Sequence, residues 1–311
     1  AVADDLRSRN QIPCKDDNIL ITPTKQAIFM TMLAMVDEGD EVAVPDPSWG
    51  TFEACARLAG GKIRYVGLDQ DNGFRLTADR LMESITPKTR MLIMNTPSNP
   101  CGAVMMSADI KGVADIAKDH DITILSDEIY DQLIFEGQHL SISSLDGMFD
   151  RTITLGGFSK TYAMTGWRLG WAVAPNPIFK ELNKLQTQSI TCATSFVQKA
   201  GVEALRGPQE SVHKMKEEFR ARRNMIWDLM QEIPQLHCAK PEGAFYLFPS
   251  YNFKMPSEDL AAHLLEKTHV ALTPGSAFGP TGEGHIRISY AASRPDIEEG
   301  MGRLKKALAA L

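Results

Sequence analysis

The amino-acid sequence predicts an α/β fold in which a mostly parallel β-sheet is covered by helices on both sides. Short apolar segments rich in Ile, Val and Leu alternate with segments of helical period through residues 18–174. The apolar segments are continuous rather than alternating with polar residues, as expected of strands that are buried on both faces. Strand–helix alternation of this kind is typical of a parallel sheet.

Seven strands can be assigned to this part of the chain, each a short apolar run. They are predicted at 19–22, 41–44, 63–66, 91–95, 122–126, 152–155 and 169–174. The helices between them include 25–35, 52–58 and 109–118. Such a series indicates one large domain built around a single sheet.

The pattern changes near Gly207 and Pro208. The elements predicted after this point are a long amphipathic helix at 210–231, strands at 244–248 and 285–289, and helices at 258–267 and 296–310. We therefore expect a large domain over 1–206 and a smaller C-terminal α+β domain over 207–311.

Composition excludes several classes of protein. Lys and Arg number 33 and Asp and Glu number 39, a net charge of −6, which argues against nucleic acid as a partner. The five cysteines form no CxxC pair, so free thiols in a reducing, cytoplasmic location are expected. No apolar run approaches the roughly 20 residues of a membrane span, and no signal peptide opens the chain. Because Ala1 is not an initiator Met, and Val2 and Leu6 suggest entry partway through a helix, we expect a segment to be missing upstream.

Polar side chains follow several of the predicted strands at the point where each strand ends. Asn99 follows the fourth strand, Asp127 and Tyr130 follow the fifth, and Lys160 follows the sixth. Each residue alone is more often a helix cap or a solvated charge. Because ligands bind outside the carboxyl ends of the strands in an open parallel sheet, their arrival at one edge predicts a common site.

Three segments carry a resemblance to a known family. NTPSNPCG (95–102), SDEIYDQL (126–133) and GGFSKTYAMTGWRLGW (156–171) resemble the signatures of fold-type I, class I/II aminotransferases. The similarity covers nearly the whole chain, and the bacterial and archaeal aspartate aminotransferases are the most similar branch. It implies pyridoxal 5'-phosphate (PLP) as cofactor and transamination between an amino acid and a 2-oxo acid in two half-reactions through pyridoxamine phosphate.

The resemblance also implies roles at the cofactor ring. Lys160 would hold PLP as a Schiff base and then shuttle the proton, a task that needs a pKa below the ordinary 10.4 or so. Asp127 would keep the pyridine nitrogen protonated, so that the ring accepts electrons. Tyr130 and Asn99 would hydrogen-bond the ring oxygen. Trp49 would stack on the ring, although a core tryptophan is an equal alternative.

The phosphate of PLP needs amide groups and a cation. Thr24 and Lys25 would supply amides at a helix N-terminus, and Arg168 occupies the position of the family's phosphate-binding arginine. Two departures are Pro23, which has no N–H to donate, and Gly157, where many relatives place a serine. Ser159 is only a weak candidate for a phosphate ligand, because it adjoins Lys160.

Arg287 is the predicted ligand of the substrate α-carboxylate. In GHIRISYA the isoleucines alternate to one face of a strand and Arg287 to the other, and the family uses this arginine as its carboxylate clamp. Lys25 matches a lysine that meets the distal carboxylate in one branch, so aspartate- or glutamate-type substrates are favoured. A lysine in solvent at a helix start is the alternative.

Other interpretations remain open at this point. A PLP-dependent lyase or decarboxylase would use the same cofactor residues, and a non-catalytic PLP-binding regulatory domain is a further possibility. The resemblance implies a homodimer with sites at its interface, so an incomplete chain is expected to bind PLP weakly and turn over slowly, or to be inactive. No metal site is predicted, because the spacing of His263, Glu266 and His269 drifts around a helix.

Overall fold

The structure, a computed structural model, describes residues 1–311 and has a seven-stranded sheet at its centre. The strands are β1 (Ile19–Ile21), β2 (Glu41–Asp46), β3 (Lys62–Gly67), β4 (Thr89–Asn95), β5 (Thr123–Asp127), β6 (Thr152–Gly157) and β7 (Gly170–Val173). Their order across the sheet is β1-β7-β6-β5-β4-β2-β3. Only β7 runs opposite to the others. The predicted α/β fold with a mostly parallel sheet is therefore confirmed.

Ten α-helices accompany the strands. They are α1 (Val2–Arg9), α2 (Thr24–Met35), α3 (Thr51–Leu58), α4 (Ala78–Ser84), α5 (Ser107–Asp119), α6 (Asn176–Ser189), α7 (Ser195–Arg206), α8 (Glu210–Gln231), α9 (Ser257–Thr268) and α10 (Arg294–Leu308). None of them is both long enough and apolar enough to cross a membrane. The sequence did not predict α4, α6 and α7. The last two each have only two buried residues, although their apolar residues follow the helical period.

Two apolar layers cover the two faces of the central sheet. In β4, Met91 and Ile93 pack with residues of α2 and α3, whereas Leu92 and Met94 pack with residues of α4 and α5. Successive side chains of a strand point to opposite faces, so both faces need apolar residues here. This is why the strand sequences are continuous apolar runs.

The C-terminal part contains two small antiparallel sheets. Their strands are β8 (Leu236–His237), β9 (Tyr246–Leu247), β10 (Ser250–Tyr251), β11 (Thr273–Pro274) and β12 (Ile286–Ser289), arranged as β10-β8 and β11-β12-β9. The predicted strand at 244–248 is thus limited to the two residues of β9. One apolar cluster joins α8, α9 and α10 to Ile129, Leu133 and Phe135, which follow β5. The boundary at 206/207 between two domains stays a prediction.

The direction of the strands decides which residues meet at one edge of the sheet. The segments that follow β1, β2, β4, β5 and β6 leave at the carboxyl edge. Because β7 is antiparallel, the residues that precede it lie at this same edge. The order of the strands therefore brings six segments of the chain to one place.

Candidate active site

A cavity of about 300 Å³ lies at the carboxyl edge of the sheet. Its lining includes every residue that the sequence predicted for the site: Thr24, Lys25, Trp49, Asn99, Asp127, Tyr130, Lys160, Arg168 and Arg287. Ser159 lines it as well. Eight of the nine come from the segments at the ends of the sheet strands, and Arg287 comes from the C-terminal part.

Asp127 and Lys160 both line this cavity, and each affects the pKa of the other. Asp127 ends β5, is 3% exposed and accepts a hydrogen bond from the backbone N–H of Ile129 at 3.2 Å. Burial raises the pKa of Asp127 to about 7, against the opposing effects of that N–H and of the Lys160 ammonium. Burial lowers the pKa of Lys160, and the nearby cations Arg287 and Arg168 lower it further, against the opposing charge of Asp127. A neutral amine is therefore more accessible at Lys160 than at an ordinary lysine.

The neighbouring Glu128 is held by a separate set of donors. Its buried carboxylate accepts hydrogen bonds from Ser126 Oγ at 2.9 Å and Ser141 Oγ at 2.8 Å, and lies 2.8 Å from His139 Nε2. Asp127 accepts from none of these three side chains. Glu128 instead fixes the turn after β5 and adds a negative charge that raises the pKa of Asp127.

The side chain of Asn95 connects the end of β4 to the end of β5. Its amide donates to the backbone oxygen of Asp127 at 3.0 Å, and its oxygen accepts from the backbone N–H of Asn99 at 2.9 Å. The turn that carries Asn99 is therefore tied to the strand that carries Asp127. Asn95 was not predicted as a site residue, because it is the last residue of a strand and its partners depend on strand order.

Arg287 lies between two aromatic rings. Its guanidinium carbon is 4.6 Å from the ring centre of Tyr246 and 5.0 Å from that of Phe278. It donates to Asn99 Oδ1 at 2.9 Å and to Thr273 Oγ1 at 3.1 Å, while its buried Nε has no partner. As predicted, Ile286 and Ile288 are buried on the opposite face of β12. The unpaired Nε–H leaves donor capacity for a carboxylate.

Tyr130 is buried and its hydroxyl lies 2.9 Å from the hydroxyl of Tyr246. Burial raises the pKa of Tyr130, and the Tyr246 hydroxyl raises it further. Tyr246 thus contacts both Tyr130 and Arg287. Tyr246, Thr273 and Phe278 were not predicted as site residues, because no local pattern shows the pairing of β9, β11 and β12 or the course of the segment after β11.

The first turn of α2 lies at the other end of the cavity, beside Arg168. Thr24 and Lys25 are the first residues of α2, where backbone N–H groups lack partners within the helix. Thr24 Oγ1 donates to the backbone oxygen of Gly156 at 2.9 Å. A Cβ at Gly157 would lie 2.8 Å from this hydroxyl oxygen, so a serine at position 157 would collide with Thr24. The close approach of Thr24 explains the departure from the family pattern.

Arg168 is exposed at the mouth of the cavity. It adopts a left-handed backbone conformation with φ of 54° and donates to the backbone oxygen of Thr165 at 2.6 Å. Its remaining donors are free for an anion at the N-terminus of α2.

Lys25 and Trp49 contact each other in the lining of the cavity. The Lys25 ammonium lies 4.6 Å from the centre of the Trp49 ring, although the side chain of Lys25 is exposed. Trp49 is half-buried and meets Phe52 edge-on, with ring centres 5.6 Å apart. Trp49 is therefore a wall of the cavity, with one edge against the core.

The fold and the site together define a class of protein in which a lysine, a buried aspartate and an arginine meet at the carboxyl edge of an α/β sheet. Comparison with known proteins agrees with this class. Residues 1–304 match the family described as aminotransferase class I and II, and the chain belongs to this family.

Several relatives cover almost the whole chain. The sequence is 41% identical to aromatic-amino-acid aminotransferase 2 of Thermococcus litoralis and 41% identical to an aspartate aminotransferase of Pyrococcus abyssi, in each case over 99% of this chain and 80% of the relative. A crystal structure of an aromatic aminotransferase from Pyrococcus horikoshii superposes with a TM-score of 0.96 at 39% identity, covering 99% of this chain and 84% of that one. Aspartate aminotransferase from Thermus thermophilus with maleate gives 0.94 at 33% identity, covering 98% of this chain and 80% of that one.

Membership of this family implies PLP, and the residues of the cavity fit that cofactor. The first turn of α2 and Arg168 provide amides and a cation for a phosphate. At the opposite end, the buried Asp127 can accept a proton or a hydrogen bond from a ring nitrogen. Lys160 lies in the same cavity, with an amine suited to bonding an aldehyde.

Proposed function

We propose that this aminotransferase assigns the residues of its cavity to four tasks: holding the cofactor phosphate, keeping the ring protonated, orienting the substrate, and moving the proton. We also propose that its preferred substrates are dicarboxylic, of the aspartate or glutamate type. The observation that carries the assignment is the convergence of Lys160, Asp127 and Arg287 on one cavity.

PLP, when bound, supplies an aldehyde for the amino group and a ring that accepts electrons from the substrate Cα. Asp127 would hold a proton at the ring nitrogen of the cofactor, because the protonated nitrogen would stabilise its buried carboxylate. Without the cofactor, burial raises the pKa of Asp127 to about 7, so the buried carboxylate is disfavoured. Cofactor binding and ionisation of Asp127 should therefore stabilise each other.

Lys160 moves the proton at the substrate Cα. Its lowered pKa makes the neutral amine, which is the form that can accept a proton, more accessible than at an ordinary lysine. Arg287 and Arg168 both help to lower this pKa, so the groups that bind the two anions also prepare the base. Lys160 would then return this proton, and addition of water would release the 2-oxo acid, which would complete the first half-reaction.

Arg287 orients the amino acid through its α-carboxylate. Tyr246, Phe278, Asn99 and Thr273 restrict the guanidinium to one position. A carboxylate held there fixes which bond of Cα stands over the cofactor ring, and this geometry favours proton removal.

The substrate side chain is proposed to meet Lys25. This ammonium forms no salt bridge, and it lies over the Trp49 ring, a contact of modest strength that a carboxylate can replace. The relatives named for aspartate and for aromatic amino acids are equally similar to this chain, so the assignment rests on Lys25 itself.

The proposal extends to the oligomeric state of the protein and to its location in the cell. We propose a homodimer, supported by large apolar side chains that are exposed near Arg168 and on α7, namely Trp167 at 47% and Phe196 at 73%. All five cysteines are free thiols, which favours a reducing, cytoplasmic location. The molar mass in solution, measured by light scattering, tests the dimer.

The test of the function is the absorption spectrum of the protein with PLP, before and after addition of L-aspartate. We expect a band that is absent in Lys160→Ala, present in Lys111→Ala, and converted by L-aspartate to that of the amine form of the cofactor. Lys111 is an exposed lysine of α5 and serves as the matched control. A band that forms in Lys160→Ala as well would refute the role of Lys160. A Lys160-dependent band that no amino acid converts would refute transamination by this chain.

A further inference from the structure

Asp46 is a buried carboxylate that none of the four tasks uses. It ends β2, three residues before Trp49, and is 2% exposed. Burial raises its pKa, and the like charge of Glu53 adds to this effect, while hydrogen bonds from Thr281 oppose it. A buried carboxylate without a cation is costly to the fold, so its contacts call for a functional explanation.

These contacts are with the glycine-rich segment 275–284. The backbone N–H of Thr281 donates to the carboxylate, at 3.1 Å from Oδ2 and 3.3 Å from Oδ1. Gly279 has a φ of +118°, and a Cβ there would lie 2.3 Å from Asp46 Oδ1. The segment can therefore sit against Asp46 only because position 279 has no side chain.

A second hydrogen bond joins the same two parts of the chain. The backbone N–H of Ser48 donates to the backbone oxygen of Phe278 at 2.8 Å. Phe278 is thus held on one side by Ser48 and on the other by the Asp46 contact with Gly279 and Thr281. Its ring is 3% exposed and packs edge-on against Phe248, with centres 5.7 Å apart.

Phe278 in turn packs on Arg287, 5.0 Å from the guanidinium carbon. Arg287 keeps a buried Nε without a partner, so its position is set by its two aromatic neighbours together with Asn99 and Thr273. A shift of Phe278 would remove one of these constraints. Because a carboxylate clamp depends on two N–H groups pointing in fixed directions, such a shift would weaken it.

We propose that Asp46 is a positioning residue for the carboxylate clamp: it holds segment 275–284 so that Phe278 keeps Arg287 in place. The same turn after β2 carries Trp49, so Asp46 also couples the wall of the cavity to the clamp. This inference rests on the proposed role of Arg287 in binding carboxylates. It concerns substrate binding and leaves cofactor binding to other residues.

The test compares Asp46→Ala with Asp46→Asn in the PLP-loaded protein. The probe is succinate, which has carboxylates but no amino group, and its affinity is measured by calorimetry. We expect Asp46→Ala to weaken succinate binding about tenfold, because a displaced Phe278 no longer restricts the Arg287 guanidinium. Asparagine keeps one oxygen for the Thr281 N–H, so Asp46→Asn should stay within about threefold of the wild type. The KM for the amino acid should rise in parallel, with kcat and the affinity for PLP little changed.

Hydrogen–deuterium exchange provides a readout that needs neither cofactor nor turnover. Amides of 279–284 should exchange faster in Asp46→Ala, and those of α9 should not. Asp109→Ala is the matched control, because Asp109 also accepts from a backbone N–H, that of Met106 at 3.2 Å, and does not line the cavity. If Asp46→Ala does not fold, Gly279→Ala displaces the same segment from the other side and should weaken succinate binding as well.

Unchanged succinate affinity in both Asp46→Ala and Gly279→Ala would overturn the proposal, as would unchanged exchange of 279–284. A wild-type protein that binds PLP but not succinate would instead refute the role of Arg287, and with it the proposed function.

Discussion

The guanidinium of Arg287 donates a hydrogen bond to the side-chain oxygen of Asn99 across 2.9 Å, although the two residues are 188 positions apart. Asn99 belongs to the turn after β4, which Asn95 ties to Asp127. Arg287, which is expected to bind the substrate, is therefore linked to Asp127, which is expected to contact the cofactor ring. The side chains of Asn99 and Asn95 form the link. This linkage connects Arg287, and a carboxylate bound to it, to the backbone of Asp127 through Asn99 and Asn95.

Replacing Arg287 should affect substrate binding and leave cofactor binding intact. Arg287→Ala removes a charged, two-pronged donor, worth about 2–3 kcal/mol, so KM for the amino acid should rise about 30- to 150-fold. Steady-state kinetics and a separate PLP titration measure the two effects. Arg294→Ala is the control, because Arg294 is an exposed arginine paired with Glu218. A large loss of PLP affinity in Arg287→Ala would contradict the division of tasks.

Asp127 should make the stability of the cofactor-free protein depend on pH. Its pKa of about 7 lies above the ordinary carboxyl value of about 4, so between these values the folded protein binds more protons than the unfolded chain. The free energy of unfolding therefore falls as pH rises from about 4 to about 7. An asparagine side chain does not ionise, so Asp127→Asn should gain a few kcal/mol relative to wild type at pH 8 and little at pH 4, at about 1.4 kcal/mol per pKa unit.

Urea unfolding of both proteins without PLP, at the two pH values, measures this difference. The same substitution should weaken PLP binding, because the amide carries no charge to stabilise a protonated ring. An equal stability difference at pH 4 and pH 8 would show that the pKa of Asp127 is not raised.

Two substitutions separate the role of the Tyr246 ring from the role of its hydroxyl. Tyr246→Phe keeps the ring under Arg287 but leaves the buried Tyr130 hydroxyl without its partner at 2.9 Å. We expect a loss of about 1–2 kcal/mol in the free energy of unfolding, with KM for the amino acid nearly unchanged. Tyr246→Leu also removes the ring, so it should raise KM as well. Equal KM values in wild type and Tyr246→Leu would show that the ring does not hold the clamp.

Lys25 should discriminate between substrates. Lys25→Ala is expected to lower kcat/KM for L-aspartate about 10- to 100-fold, since a charged hydrogen bond to the distal carboxylate is lost. The value for L-phenylalanine should change little, because its side chain carries no charge. The ratio of the two kcat/KM values is the measurement. An equal fall for both amino acids would show that the Lys25 side chain does not recognise the distal carboxylate.

The sequence by itself determined the elements of the large sheet and the residues at their ends. Continuous apolar runs predicted each of the seven strands, because a strand with helices on both faces has no polar side. The residues just after those strands, such as Asp127 and Lys160, followed directly, since their position depends only on where a strand stops. Helices α6 and α7 were not predicted, although their apolar residues follow the helical period.

Only the tertiary structure decided which side chains meet. Arg168 reaches the cavity because β7 runs antiparallel, and the direction of a strand leaves no mark in its own residues. Tyr246 and Phe278 meet Arg287 through the pairing of β9, β11 and β12, two of which have only two residues. The Asp46 contact with Thr281 spans 235 positions. Local patterns report the burial of each element, whereas contacts between distant elements depend on strand order and packing, which the whole chain sets together.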